Sequence, residues 1–245
     1  GETDNQKEYI APEGDKTEEA PLEEEKTPDN PHAEDVPFPD IQGVLILDAG
    51  HGGQDFGVAA GESIAEKDIA LAILLKLRTI LKENTTLTIH LTRDTDKEMS
   101  PSIRAKAANA LGGDLLISIH AGYSNIPRRT GVTFFSDQLP TPPDAKEDAE
   151  IRQAFMRRRS YGEQASKIAY GMAQKLAEDN SLGAVIARKA PLLLQRICEM
   201  PCILIELAYL NNPDITASVT EEEYQAHAAE TLARAIAAAL PENKN

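Results

Sequence analysis

From residue 41 onward, short apolar runs alternate with longer amphipathic stretches. VLILDAG at 44–50 is a continuous apolar run that stops at glycine, the pattern of a buried strand. Ile69, Ile73, Leu74, Leu77, Ile80 and Leu81 recur at helical spacing and predict an amphipathic helix over 66–83. TLTIHLT at 86–92 alternates as a strand does, and Pro101 opens a short helix that runs through Leu111 and closes at the GG pair 112–113. DLLISIH at 114–120 and GVTFFS at 131–136 read as two further strands. Ala165, Ile168, Ala169, Met172 and Leu176 mark a helix over 161–178. APLLLQ at 190–195 and CILIEL at 202–207 predict two more strands. A last helix, from about Glu221 to Leu240, turns Tyr224, Leu232, Ile236 and Leu240 inward. Strands interleaved with long helices predict an α/β fold in which a mostly parallel sheet lies sandwiched between helices in a single domain. The chain contains no internal repeat.

The first forty residues break this pattern. They hold 14 acidic and 3 basic side chains, a charge of −11 out of −15 for all 245 residues, and six of the fifteen prolines. Such a segment buries too little surface to offset the entropy of ordering it, and reads as a disordered acidic linker over 1–40. An acidic tail for a basic partner is the alternative reading. Residues 41–245 form the second unit and are nearly charge-balanced. The acidity argues against a nucleic-acid partner. No apolar run is long enough to span a membrane, and the first residues lack the basic-then-apolar order of a signal peptide.

Polar groups interrupt the apolar runs where strands hand over to loops. His51 follows the first strand inside DAGHGG, His120 ends DLLISIH, and Glu206 lies near the end of CILIEL. Sites in open α/β sheets gather at the carboxyl ends of the strands. Two histidines there suit a metal that needs about three protein ligands and one open position, which leaves a carboxylate to be supplied. Glu66, at the start of the predicted helix, is a candidate third ligand or simply a favourable charge at a helix N-terminus. Glu206 reads as a general base, as a fourth ligand, or as one half of an ion pair with Arg104 or Arg196. His32, His90 and His227 lack a comparable setting.

As an ordered set, LDAGHGGQDFG, EKD, LTRDTD, SIHA and PCILIELAYLNN resemble the zinc-dependent N-acetylmuramoyl-L-alanine amidases of the Amidase 3 family. The resemblance covers residues 43 to about 240. It implies one zinc ion (Zn2+) held by His51, Glu66 and His120, with Glu206 as the catalytic acid–base. It also implies hydrolysis of the amide joining N-acetylmuramic acid to the L-Ala of the peptidoglycan stem peptide, in the periplasm, at the cell surface or after secretion. Two positions depart from the family pattern: Ala49 stands where proline is common, and Gly122 where an acidic residue or asparagine often follows the alanine. The alternatives are a zinc peptidase cutting within the stem and a peptidoglycan-binding module without turnover.

Residues 137–160 make a long connection that carries three prolines, several acids and the run Arg157, Arg158, Arg159. The resemblance implies an inserted lid over the groove that an activator protein would displace, as in some relatives; the stretch also reads as a substrate-binding lip or as a solvated extension of the next helix. Cys198 and Cys202, four apart before an apolar strand, read as buried thiols or as a strained local disulfide.

Overall fold

The computed structural model describes residues 37–61, 63–126, 128–138 and 148–242. The acidic segment 1–36 and His32 within it therefore lie outside the described residues, as do 139–147. Strand β1 (Val44–Ala49) leads through a short hairpin, β2 (Ala59–Ala60) and β3 (Ile64–Ala65), into α1 (Glu66–Asn84). Then follow β4 (Thr88–Leu91), α2 (Pro101–Leu111), β5 (Leu115–Gly122), β6 (Val132–Asp137) and α3 (Ala149–Asp179). Strand β7 (Val185–Ala190), α4 (Leu193–Ile197), β8 (Cys202–Tyr209), α5 (Pro213–Ser218) and α6 (Glu222–Ala239) complete the order.

The main sheet runs β4-β1-β5-β8-β6-β7. Every neighbouring pair is parallel except β6 with β8. Alternation along the strands splits the core in two. Leu45, Leu47, Ile117, Ile119, Ile203 and Ile205 pack with α1, α3 and α6, whereas Ile46, Leu116 and Cys202 pack with Ala105 and Ala108 of α2 and Leu194 of α4. Helices thus cover both faces of a mostly parallel sheet.

Two expectations are corrected. APLLLQ is not a strand: β7 ends at Ala190, and Leu193–Ile197 form the helical turn α4, which buries Leu194 and leaves Leu193 exposed. The strand that belongs here, VIARKA, lies at the sheet edge with its middle residues exposed, so it lacks the apolar signature of β1 or β5. The helix expected over 161–178 is also longer: α3 begins at Ala149, so 149–160 are the solvated extension of the next helix, with Asp148 as its N-cap accepting from the Glu150 amide at 2.6 Å. Its first turns are mostly solvent-facing, so no hydrophobic period announces them.

Candidate metal centre

The parallel strands β1, β5 and β8 bring three chemical groups to one end of the sheet. His51 lies two residues beyond β1. His120 sits near the end of β5, in register with Glu206 on β8. The loop that follows β1 folds back so that Glu66, the first residue of α1, is 2 % exposed and reaches both histidines. Its Oε1 lies 2.7 Å from His120 Nδ1 and 3.2 Å from His51 Nε2. Its Oε2 accepts the Val58 amide at 2.9 Å. The imidazoles meet edge to face, with ring centres 5.1 Å apart.

One ligand atom from each of His51, Glu66 and His120 lies within 4.8 Å of the others, so the three could hold a metal ion. The donor chemistry fits: two imidazoles and one carboxylate are a usual three-ligand set that leaves a fourth position for water or substrate. Space fits as well. A Cβ on Gly57, whose φ is +66°, would stand 2.6 Å from both Glu66 Oε2 and His51 Cδ2. Glycine is required there on both grounds.

His51 itself has φ of 58°, an unusual conformation for a residue with a side chain. Two buried arginines hold it there. Arg93 donates from Nε to the Ala49 carbonyl at 2.9 Å and from Nη2 to the Gly50 and Lys67 carbonyls, both at 2.8 Å. Arg104 donates to the carbonyls of Ala49 and His51 and pairs with Asp48 at 2.8 Å. Asp48 is fully buried and also accepts from Ser118 and Thr92. Arg104 is therefore the partner of Asp48, not of Glu206. These supports escape sequence reasoning because most of their acceptors are backbone carbonyls, which leave no mark on residue type.

Charge flows inward to the three groups. Burial pushes the Glu66 carboxyl up, but hydrogen bonds from His120, His51 and the Val58 amide outweigh it and hold the group ionised, well below the usual carboxylate range. Burial lowers the His51 imidazole, whereas Glu66 and Asp55 raise it by more, so the net shift is upward. Asp55 stands 2.9 Å from His51 Nδ1.

Glu206 behaves differently. Among the described residues, its buried Oε2 has no hydrogen-bond partner. Burial raises its carboxyl above the ordinary value; His120 opposes the rise and Glu66 adds to it. A Cβ on Gly122 would lie 2.6 Å from that Oε2, so the glycine keeps room for the carboxylate. His90 lies on β4, and His227 bonds Ser181 at 2.6 Å, both away from the three-residue cluster.

The charged connection divides. Residues 139–147 lie outside the described residues. Asp148–Ser160 open α3 beside Asp137, which Arg158 meets at 2.9 Å. Because β6 is antiparallel to β8, with Thr133 opposite Glu206 and Phe135 opposite Leu204, its end at Asp137 points to the far end of the sheet from the cluster. Cys198 and Cys202 are free and buried, packed with Met200 and Leu194. Burial drives the Cys202 thiol far up from its usual value, and the hydrogen bond with Cys198 adds to that.

A candidate metal centre at the carboxyl ends of a mostly parallel sheet is the class of site that this fold defines. Residues 45–238 match the family described as N-acetylmuramoyl-L-alanine amidase (Amidase_3), and the chain belongs to that family. The endolysin of Bacillus phage SPP1 is 30 % identical over 197 residues, which cover 80 % of this chain and 66 % of that protein. The amidase AmiC of Escherichia coli O6:H1 is 25 % identical over 80 % of this chain and 52 % of its own length. The chain thus spans between half and two-thirds of these relatives. Among solved structures, the catalytic domain of the amidase CwlV from Bacillus (Paenibacillus) polymyxa var. colistinus aligns with a TM-score of 0.61 and 26 % identity, over 79 % of this chain and 96 % of that one. The CwlD amidase from Clostridioides difficile, in complex with the GerS lipoprotein, shares the fold at a TM-score of 0.57 and 24 % identity, over 79 % and 96 % of the two chains.

Proposed function

We propose that this protein is a zinc-dependent N-acetylmuramoyl-L-alanine amidase that cuts the amide between N-acetylmuramic acid and the L-Ala of the peptidoglycan stem. The observation that carries this reading is the convergence of two imidazoles and a buried carboxylate beside Glu206, whose buried Oε2 has no hydrogen-bond partner among the described residues, in a chain of this family. His51, Glu66 and His120 would hold the zinc ion. When bound, it supplies Lewis acidity, polarising the amide carbonyl and making water a better nucleophile near neutral pH.

This chain's own residues do the rest. Glu206 takes the proton of the attacking water and delivers it to the departing L-Ala nitrogen, freeing the stem peptide from the glycan. Its raised pKa suits both halves of that transfer. Glu66, held ionised by its neighbours, offers a full negative charge to a cation. Arg93 and Arg104 fix the His51 loop so that the imidazole does not have to be ordered at each turnover.

Peptidoglycan lies outside the cytoplasm, so the enzyme works in the periplasm, at the cell surface or after secretion. The acidic segment 1–40 acts there as a spacer. Among the described residues, no helix is long and apolar enough to cross a membrane. An activator protein is a further expected partner, supported by the lipoprotein complex of a similarly folded amidase. The test of the catalytic assignment is Glu206→Gln. Peptide release should fall by about three orders of magnitude or more while one metal ion per chain is retained. Loss of the metal, with an unchanged rate per bound ion, would make Glu206 a ligand instead.

A further inference from the structure

Arg129 lies in the loop between β5 and β6, and among the described residues no carboxylate pairs with it. Its neighbour Arg128, by contrast, is exposed and paired with Asp214. The Arg129 guanidinium lies over the ring of Tyr209, 5.0 Å from its centre, and donates from Nη2 to Thr133 Oγ1 at 3.3 Å. Thr133 Oγ1 in turn meets the Tyr209 hydroxyl at 2.5 Å. The backbone is held too: buried Asn212 donates from Nδ2 to the Arg129 carbonyl at 3.1 Å. A charged group fixed by a ring, a hydroxyl and a backbone clamp, yet without a counter-charge among the described residues, is organised to receive one.

Its place relative to the site follows from strand register. Thr133 and Glu206 are directly opposite across the antiparallel β6–β8 pair, so their side chains share a face. Opposite Cβ atoms stand about 5 Å apart, and Thr133 Oγ1 lies 3.3 Å from the guanidinium, so the guanidinium lies within about 10 Å of the Glu206 Cβ. From the nitrogen of L-Ala to a carboxylate on the α-carbon of the next residue is about 6 Å along an extended chain. In the stem peptide that second residue is a glutamate joined onward through its side-chain carboxyl, which leaves its α-carboxylate free.

We propose that Arg129, set by Tyr209 and Thr133, binds the free α-carboxylate of the second stem-peptide residue and so selects acidic over amidated stems. The inference rests on the amidase reading. With the amide nitrogen beside Glu206, the carboxylate falls within reach of the guanidinium. The planar fork then aligns the peptide on the leaving-group side of the scissile bond. Amidation at that position removes the charge and one of the two acceptor oxygens, so a carboxamide keeps only a weaker, neutral contact.

The test measures kcat and KM of the full chain on two soluble muropeptides that differ only in a second-residue carboxylate or carboxamide. Wild-type protein, Arg129→Met and Arg129→Lys are compared, with thermal melts to verify folding. We expect Arg129→Met to raise KM on the acid at least tenfold more than on the amide, and Arg129→Lys to recover part of that difference. An equal loss on both substrates, or no loss on either, overturns the carboxylate subsite while leaving the amidase reading intact. If wild-type protein releases no L-Ala-terminated peptide from either substrate, the amidase reading fails and the subsite fails with it. A folded Arg129→Met variant that favours the acid as strongly as wild type also overturns the subsite.

Discussion

Gly122 and Glu206 share a space that only one side chain can fill: a Cβ on the glycine would stand 2.6 Å from Glu206 Oε2. That oxygen is buried and unbonded among the described residues. Gly122→Ala should therefore push the carboxylate out of line without touching His51, Glu66 or His120. Turnover should fall by about two orders of magnitude, since proton transfer depends on sub-ångström placement. Metal content by atomic absorption should stay at one ion per chain. Full activity in a folded Gly122→Ala protein would mean that Glu206 is not confined as described.

The ion pair of Asp48 with Arg104 underlies the His51 loop and should matter for stability. Asp48→Asn leaves Arg104 buried without its counter-charge, which costs about 3 kcal/mol or more. Chemical denaturation at pH 7 measures this directly.

The same pair sets an acid limb. Burial raises the Asp48 carboxyl, but Arg104, Ser118 and Thr92 outweigh it and the net shift is downward. A group whose folded pKa is depressed stabilises the fold above its unfolded value, near 4, and loses that contribution as pH falls toward the folded one. Wild-type stability should drop through this window, and Asp48→Asn should show a shallower fall. Parallel denaturation curves from pH 7 to pH 2 for the two proteins would contradict the account.

Arg93 touches no ligand side chain, yet it fixes the carbonyls of Ala49 and Gly50 immediately before His51. Arg93→Met should weaken zinc binding by about 10- to 100-fold, as losses around a metal ligand do. Competition against a chromophoric chelator reads this without reference to turnover. Arg93→Lys, which cannot span both carbonyls, should recover only part of the affinity.

Cys198 and Cys202 should resist thiol reagents in the native protein and titrate as two thiols after denaturation. Both are buried, and the thiolate of Cys202 is strongly disfavoured. Rapid labelling under native conditions would contradict this packing.

Much of the fold is legible in residue pattern, for a physical reason. Strands β1, β5 and β8 are buried on both faces and so are mostly apolar, which is also why His120 and Glu206 stand out within them. Glu66 was visible as a charge at a helix start, but its reach to both histidines depends on the folded-back loop 52–65. Strand β7 was hidden because an edge strand can be polar, and the first turns of α3 because they bury almost nothing. The alternative that pairs Glu206 with Arg104 does not hold, because Asp48 is the counter-charge of Arg104. Arg129 carries no signal beyond being one of two adjacent arginines in a loop; the role proposed for it rests on Thr133 being in register with Glu206.

The most direct test of the central claim is mass spectrometry of peptidoglycan digested by the full chain, with and without a zinc chelator. The account predicts free stem peptides beginning at L-Ala, absent after chelation and restored by added zinc. Products cut within the stem peptide, or release that persists without metal, would contradict it.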